Sequence, residues 1–318
     1  MCDEDVCMKD LVSIIVPVFN REKTLERLFS SFKRLDYFPL EIIFVDNGSS
    51  DSSWSLCEDF QAATSSVDFQ IKLIKEDVRG ASRARNAGLA IANGTYVSFF
   101  DSDDEMSPDF ISSMVNALKA DACAEVVIAK SRMVFENGMS KVRAGWINAT
   151  VADHILTSMV STQSFVCRRD FLNRIGGWND QLAVWVDYEL GVRILLYAKR
   201  IVWIDRVFHR IHQHSESITG TSYSARSVAI LKALGVITET LYMNIQDNYM
   251  SNLRALHLRE RIISGQFIRE GDRETSKKVD QMACAIEVGK FTSFWGGFLR
   301  WYVSIGGRGA WRMAVSII

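Results

Sequence analysis

The sequence predicts an α/β protein in which a doubly wound, mostly parallel sheet is followed by a helical extension. Short apolar runs rich in β-branched residues alternate with segments whose apolar residues share one helical face. This alternation implies right-handed crossovers and a largely parallel sheet. From about residue 222 onward the pattern is helical and no proline occurs. We therefore expect a single sheet domain at 1–220 and a helical C-terminal extension at 221–318.

Four apolar runs in the first part of the chain predict buried strands. They lie at 12–19, 40–45, 71–74 and 96–100. A helix is predicted after each strand, because apolar or small residues then recur at helical spacing. Asn20, Asp51 and Ser107 are of the residue types that commonly cap such helices.

After residue 126 the pattern becomes less regular. Runs at 126–130, 162–167 and 201–204 predict three further strands. Asn137-Gly138 has the composition of a hairpin turn. Residues 190–198 predict a helix.

Composition restricts the class of protein. The chain has 318 residues, of which 48% are hydrophobic and 24% charged, so it can form a packed core. A formal net charge of −1 provides no basic field for nucleic acid, and we expect no nucleic-acid partner. Six cysteines without zinc spacing, an acidic N-terminus and the lack of a long uncharged apolar run predict a cytoplasmic protein.

The strand predicted at 96–100 ends in a cluster of acidic residues. Asp101, Asp103 and Asp104 follow it directly, although carboxylates placed together repel each other and resist burial. A divalent cation such as Mg²⁺ or Mn²⁺ would relieve that repulsion, since it binds carboxylates together with phosphate oxygens of a substrate. The alternative is a polar turn that caps the next helix through Ser107.

Polar residues also follow two other predicted strands, at 17–20 and at 46–51. In a parallel sheet, ligands bind outside the carboxyl ends of the strands, so we expect these residues to meet 101–104 in one crevice. The sequence has neither G-x-G-x-x-G after the first strand nor a Walker A motif. A dinucleotide-binding domain and a P-loop are therefore not supported.

Seven segments, taken together and in order, resemble the family 2 glycosyltransferases, which have the GT-A fold. They are VSIIVPVFN at 12–20, VDNGSSD at 45–51, GASRARNAG at 80–88, YVSFFDSDD at 96–104, IGGWND at 175–180, VDYELGVR at 186–193 and HRIHQHSESIT at 209–219. The resemblance implies a hexosyltransferase that inverts the anomeric centre. It would move a sugar from a nucleoside-diphosphate sugar, with a UDP-sugar favoured, to a hydroxyl of a glycan or lipid-linked acceptor.

The resemblance also implies roles for individual residues. The expected nucleotide and donor contacts are Pro17, Val18, Asn20, Asp46, Arg83, Arg85, Asn86, Asp101 and Ser102. Mn²⁺ or Mg²⁺ is the implied cofactor, with Asp103 and His212 as its expected ligands. Three of these roles have structural alternatives. Asp46 could cap the turn at Gly48, the arginines could cover a helix end, and His212 could lie in a loop whose histidines have partners in the protein.

Asp187 matches the general base of the family, the carboxylate that takes the proton of the acceptor hydroxyl. The alternative is an N-cap beside Trp185. The family commonly has Glu-Asp at this place, whereas this sequence has Val186-Asp187. The base is therefore kept, and its acidic neighbour is not.

Residues 290–318 combine aromatic and basic side chains without an acidic one. They contain three of the eight tryptophans, and their charged residues are Lys290, Arg300, Arg308 and Arg312. This composition fits a segment in an anionic membrane interface, which would place the protein at the inner face of the cell membrane. The alternative is a docking helix that packs a tryptophan-rich face onto the rest of the protein.

Two other functions stay open beside the transferase. A sugar nucleotidyltransferase also uses a doubly wound sheet and acid-bound Mg²⁺, but it would require a glycine-rich basic loop where 17–20 stands. A non-catalytic subunit that binds nucleotide sugars or acts as a scaffold would explain Val186. Asp101, Asp103 and Asp187 argue against that second alternative.

Overall fold

The computed structural model describes residues 10–135, 137–142, 148–213, 222–245 and 248–318. The strands are β1 Val12–Val18, β2 Leu40–Asp46, β3 Phe69–Lys75, β4 Tyr96–Phe99, β5 Glu105–Met106, β6 Val126–Phe135, β7 Ser140–Val142, β8 Phe165–Arg168 and β9 Ile201–Gln213. The helices are α1 Leu25–Phe32, α2 Ser53–Thr64, α3 Ala81–Ile91, α4 Phe110–Ala120, α5 Val151–Thr157, α6 Arg169–Arg174, α7 Val186–Tyr197, α8 Ser227–Tyr242, α9 Tyr249–Arg269, α10 Arg273–Ala285, α11 Lys290–Ser304 and α12 Ala310–Val315.

The chain divides into two compact units with interleaved ranges. Unit 1 comprises Met1–Arg143, Thr162–Asp180 and Ala198–Gln213, and unit 2 comprises Ala144–Ser161, Gln181–Tyr197 and His214–Ile318. The domain boundary predicted near residue 220 falls at 214–221, outside the described residues, and stays a prediction.

Unit 1 contains a mixed sheet with the strand order β3-β2-β1-β4-β8-β6-β9-β5, in which β7 pairs with β6. The strands β3, β2, β1 and β4 form a parallel block, as the sequence predicts, and β6 also pairs in parallel with β9. Strand β8 runs antiparallel to β4 and to β6, a reversal that the sequence pattern does not indicate. The predicted α/β class with a GT-A type sheet is confirmed, and so is the helical C-terminal part.

The parallel block fixes where a ligand can bind. The chain passes from β1 to β2 and β3 on one side, and then returns to β4 on the other side of β1. The strand order therefore reverses between β1 and β4, and the crevice at such a switch point lies outside the carboxyl ends of the strands. Apolar residues of the strands and of α1, α2 and α4 form the core beneath it.

The local predictions have mixed outcomes. The Asn137-Gly138 hairpin is confirmed, since β6 and β7 pair across it and Gly138 has φ +80°. Asn20 does not cap α1, because the residue before that helix is Thr24 and Asn20 itself is left-handed with φ 50°. Ser107 does not cap α4 either, since the helix begins after Asp109.

Unit 2 is helical and is organised around α9. Helices α5, α10, α11 and α12 all contact α9. Apolar residues of α5, α9, α11 and α12 share one core, whereas Val279 of α10 packs in a second core with Ile263 and Phe267 of α9. The closest approach is at Gly265, where an added Cβ atom would lie 2.4 Å from the carbonyl oxygen of Arg300 in α11. A larger residue at Gly265 would therefore separate α9 from α11. No helix among the described residues is long and apolar enough to cross a membrane.

Candidate functional site

The carboxyl ends of β1, β2 and β4 converge as the sequence predicts. The backbone N–H of Asn20 donates to Ser49 Oγ at 3.0 Å, and Asn20 Oδ1 accepts from the N–H of Ser50 at 2.9 Å. The guanidinium of Arg21 lies 3.4 Å from the carboxylate of Asp103. The residues after β1 therefore join the loop after β2 to the acidic residues after β4.

Asp46 is the last residue of β2 and is buried. Its carboxylate accepts the backbone N–H groups of Gly48 and Ser49, both at 3.2 Å. Gly48 is left-handed with φ +80°, a conformation that favours glycine. Asp46 thus caps this turn, and its contact with a nucleotide base stays a prediction. Val18 is buried and Pro17 half-buried at the end of β1.

Asn47 ties the loop after β2 to the loop before α3, a role that we did not assign from the sequence. Its amide nitrogen donates to the carbonyl oxygens of Glu76 (2.8 Å) and Val78 (2.9 Å), and its Oδ1 accepts from Gly80 at 2.7 Å. Its partners are 29 to 33 residues away along the chain. Only the folded chain brings them together.

The arginines of α3 face acidic partners. Arg85 is buried, donates to Asp101 Oδ1 at 2.7 Å, and has its guanidinium 4.5 Å from the centre of the Trp178 ring. Arg83 pairs with Asp180 at 3.2 Å. Asn86 accepts from the N–H of Trp178 at 2.9 Å and donates to its carbonyl oxygen at 2.8 Å. Asn86 therefore positions the 176–180 loop, and donor contacts by these three residues stay predictions.

Asp104 is the most buried carboxylate of the acidic turn, residues 101–105. Its Oδ1 accepts the backbone N–H of His212 at 2.7 Å, and its Oδ2 accepts from the amide of Gln163. Burial raises the pKa of Asp104 well above its ordinary value, and the neighbouring charges of Asp103 and Asp101 raise it further. Burial is therefore the main reason that the charged form of Asp104 is disfavoured. Gln163 has no signal in the sequence that would have identified it.

His212 lies on β9 beside this turn. Its Nε2 is 3.1 Å from the carboxylate of Glu105, and burial together with the charge of Arg27 lowers its pKa. Arg27 also donates to the backbone carbonyl oxygen of Asp103, while Ser102, which is buried, accepts from the hydroxyl of Thr24 through its carbonyl oxygen at 3.2 Å. Metal binding by His212 and Asp103, and donor binding by Ser102, stay predictions.

The chemistry of the acidic turn fits a hard divalent cation that is shared with a substrate. Among the described residues, no group of three or more His, Cys, Asp or Glu side chains is arranged to hold a metal ion. Mg²⁺ usually takes only one or two protein carboxylates and completes its shell with water and phosphate oxygens. The pKa of Asp104 is raised first by burial and then by the charges of Asp103 and Asp101, and a cation at the turn would offset the second cause.

Asp187 lies in unit 2, in the first turn of α7, and is half-buried. It is a residue of the helix and not its N-cap, and its Oδ1 accepts from the N–H of Tyr188 at 2.9 Å. His154 of α5 fixes this turn, because its Nδ1 accepts from the N–H of Val160 at 3.2 Å and its Nε2 lies 2.9 Å from the carbonyl oxygen of Tyr188. The first turn of α7 is therefore held from outside the helix.

Curated proteins of known class match parts of this chain. Glycosyltransferase GlyA of Streptococcus pneumoniae is 37% identical over 105 residues, which are 33% of this chain but only 14% of that protein. The Escherichia coli protein WfaP, a UDP-Glc:alpha-D-GlcNAc-diphosphoundecaprenol beta-1,3-glucosyltransferase, is 27% identical over 71% of this chain and 88% of its own length.

Solved structures share the fold. S. aureus TarS in complex with UDP superimposes with a TM-score of 0.62 and 17% identity, over 87% of this chain and 92% of TarS. A Pyrobaculum calidifontis mannosyltransferase in complex with GDP-Man and Mn²⁺ gives 0.58 and 17%, over 96% of this chain and 87% of that one.

A family assignment follows from sequence. Residues 13–176, more than half of the 318, match the sequence model of glycosyl transferase family 2, and the matched range includes the ends of β1, β2 and β4 that form the crevice. The resemblance drawn from the seven segments is thereby confirmed: the chain belongs to glycosyl transferase family 2.

Proposed function

We propose that the protein is a metal-assisted, inverting glycosyltransferase that moves a sugar from a nucleoside-diphosphate sugar to an acceptor hydroxyl. The observation that carries this proposal is the convergence of three polar strand ends on the acidic turn, at the point where the strand order reverses. A nucleotide bound there would lie at the position typical of open α/β sheets. The two solved neighbours carry UDP in one case and GDP-Man in the other.

The nucleoside would lie against the ends of β1 and β2, near Pro17, Val18, Asn20 and Asp46. A carboxylate can accept the N–H of a uracil or of a guanine, and the base we propose here is the uracil of a UDP-sugar. Phe19 offers the nucleoside an apolar surface at this place, because the residue is 42% exposed. The Arg79 guanidinium lies 3.9 Å from the centre of its ring.

The diphosphate and sugar would lie near the acidic turn and α3. Asp103 and His212 would hold Mn²⁺ or Mg²⁺, which would stabilise the charge of a diphosphate leaving group, and Asp101 would contact the donor sugar. Arg83 and Arg85 supply guanidinium groups, which suit phosphate because they are always charged and can bind it in a bidentate manner. Ser102 and Asn86 complete the donor contacts that the family resemblance implies.

Asp187 would act as the general base. Its carboxylate takes the proton of the acceptor hydroxyl while the acceptor oxygen bonds to the anomeric carbon. The bond from that carbon to the diphosphate breaks, and its electron pair leaves with the diphosphate. The hydrogen bonds of His154 around Tyr188 keep the first turn of α7 in place for this role.

The acceptor would be a glycan or a lipid-linked saccharide. WfaP, which this chain matches over most of its length, is named for a diphosphoundecaprenol-linked acceptor. An acceptor of that class lies in a membrane, so the enzyme would act as a peripheral protein at the inner face of the cell membrane.

Titration calorimetry with a panel of nucleoside diphosphates tests the donor site. We expect UDP to bind at least about tenfold more tightly with Mn²⁺ than with a chelator, because the ion joins the crowded carboxylates to the diphosphate. Asp103→Ala should remove this metal dependence. Asp59→Ala, which changes an exposed acid of α2, should keep it.

Each possible result decides between functions. Equal affinity with and without metal would exclude metal-assisted binding, and no binding of any nucleoside diphosphate would exclude the donor site. Metal-dependent binding without transfer to any saccharide acceptor would favour the non-catalytic binding subunit. Release of pyrophosphate from a nucleoside triphosphate and a sugar phosphate would favour a nucleotidyltransferase.

A further inference from the structure

Helix α11 of unit 2 packs with a face of small and aliphatic residues. Thr292, Gly296, Leu299 and Val303, spaced by three or four residues, are its buried positions. At Gly296 an added Cβ atom would lie 2.6 Å from His257 in α9, so this face contacts α9 closely. The helix is therefore already docked, and the docked face contains no tryptophan.

Most aromatic residues of α11 lie on a second face, which is largely exposed. Phe291, Phe294 and Trp301 are 65%, 70% and 56% exposed, and Ile305, just after the helix, is 63% exposed. Together with Phe298 they recur at intervals of three and four residues, which places them on one stripe. Their rings contact each other through Trp295 and Phe298.

An exposed aromatic stripe of this kind is costly in water. Single exposed apolar residues are ordinary, but contiguous ones mark a surface that another phase or partner covers. We define the aromatic face of α11 as Phe291, Phe294, Trp295, Phe298, Trp301 and Ile305. The buried positions of α11 include no tryptophan. Trp295 and Phe298 are half-buried, with Phe298 packed against the core of unit 2, whereas Phe291, Phe294, Trp301 and Ile305 are exposed.

The charge around the aromatic face indicates what covers it. Lys290, Arg308 and Arg312 are exposed near its two ends, and no acidic residue occurs from Lys290 to the last residue. Arg300 is not part of this set, because it pairs with Asp280 at 3.2 Å and donates to Ser264 at 2.8 Å. A bilayer surface with anionic lipid is complementary to both features, since rings enter the headgroup region and basic residues pair with phosphates.

We propose that the aromatic face of α11 inserts into the interface of an anionic membrane, with the helix lying parallel to the surface. The α9 side of the helix stays packed in unit 2, so binding requires no refolding. This surface is independent of sugar transfer, because its residues all lie outside the sheet crevice and the first turn of α7. The inference rests on the proposed function in one respect, since it names the surface through which the peripheral enzyme would meet the membrane, and its test measures binding and not sugar transfer.

Vesicle co-sedimentation of the full chain tests this inference. We use vesicles of phosphatidylglycerol and phosphatidylcholine in equal parts, and pure phosphatidylcholine for comparison. The wild type should bind the anionic vesicles at low salt. Phe291→Ser, Phe294→Ser and Trp301→Ser combined should reduce the partition coefficient at least about tenfold. Lys290→Ser, Arg308→Ser and Arg312→Ser combined should reduce it by about fivefold per residue on anionic vesicles only.

A matched control uses exposed apolar residues elsewhere. Val67 and Val228 are 86% and 81% exposed and lie outside α11, so Val67→Ser with Val228→Ser should bind as the wild type does. Thermal denaturation of every variant should give the wild-type midpoint, because all the substituted side chains face solvent.

Three results would overturn the proposal. The first is a wild type that stays in the supernatant with anionic vesicles at low salt. The second is an aromatic variant that sediments as the wild type does. The third is a wild-type dimer, detected by light scattering, that the aromatic variant splits while neither protein binds vesicles, since the face would then hold a second copy. None of these outcomes depends on transferase activity.

Discussion

The two edges of the unit 1 sheet bury acidic residues in opposite circumstances. At the amino-terminal edge, Glu41 is fully buried and accepts from Ser13 Oγ at 2.5 Å and from the N–H of Asn93 at 2.9 Å, and it pairs with Lys72. At the carboxyl-terminal edge, Asp104 accepts hydrogen bonds but lies beside further carboxylates. The same sheet therefore contains Glu41, whose charge is offset by its partners, and Asp104, which lies among other carboxylates.

The pKa values of the two acids diverge for this reason. Burial raises the pKa of Glu41, but hydrogen bonds from Lys72 and Ser13 outweigh it and hold the pKa below its ordinary value. Burial also raises the pKa of Asp104, and the charges of Asp103 and Asp101 add to the increase. We infer that the chain offsets the charge of Glu41, which serves the fold, whereas it buries Asp104 among carboxylates that oppose its ionisation.

The largest expected effect is a loss of turnover when Asp187, an acid that we assign to the reaction and not to the fold, loses its charge. Asp187→Asn keeps the size of the side chain and can still accept the N–H of Tyr188, so folding and nucleotide binding should be unchanged. Turnover should fall by about 10²–10⁴-fold, the range for loss of a general base. The measurement is transfer from a UDP-sugar under saturating donor.

Asp170 provides the matched control, because it is an exposed acid in the first turn of another helix, α6. Asp170→Asn should transfer sugar as the wild type does. Near-normal turnover of Asp187→Asn would show that the base is another residue.

Glu260 allows the effect of burial to be measured by itself, because burial and not the charge of an acid raises its pKa. It lies in α9 and is fully buried, and among the described residues neither carboxylate oxygen has a hydrogen-bond partner. Burial raises its pKa to about 8, while the charge of Arg261 acts in the opposite direction. The folded pKa exceeds the unfolded one, so stability is full below the ordinary value of 4.5 and is lost as the pH rises through about 8.

Glu260→Gln cannot ionise and should remove this loss. Compared with the variant, the wild type should lose about 4 kcal/mol of unfolding free energy between about pH 5 and pH 9. Urea denaturation of both proteins across that range measures the difference. Parallel curves for the two proteins would show that Glu260 does not titrate in the fold.

The smallest expected effect concerns Glu41. Glu41→Gln removes the charge that Lys72 and Ser13 neutralise, so unfolding free energy at neutral pH should fall by about 2 kcal/mol, the scale of hydrogen bonds to a charged group. Because the folded pKa is depressed, this contribution exists above the ordinary value of 4.5 and disappears as the pH falls through the folded value. The two proteins should therefore converge in acid.

Asp103→Asn is the opposite case to Glu41→Gln. It should keep its unfolding free energy and lose turnover, whereas Glu41→Gln should lose stability and keep turnover. If both variants lost stability, or if both lost turnover, the distinction between the two sheet edges would be contradicted.

Much of the molecule follows from the sequence by itself. The alternation of apolar runs predicts the parallel strands β1 to β4, because strand and helix periods differ along the chain. The polar strand ends predict the crevice, since parallel strands place their carboxyl ends on one edge. The helical C-terminal part follows from a long segment without proline, and seven ordered segments identify the family.

Only the tertiary structure decides how distant residues meet. The antiparallel entry of β8, the pairing of Gln163 and His212 with Asp104, and the burial of Glu260 depend on packing between segments far apart in the chain. The same holds for α11, whose aromatic residues have helical spacing in the sequence but an exposed side only because α9 contacts the opposite face. Periodicity fixes which residues share a face, and the neighbouring helix decides which face is buried.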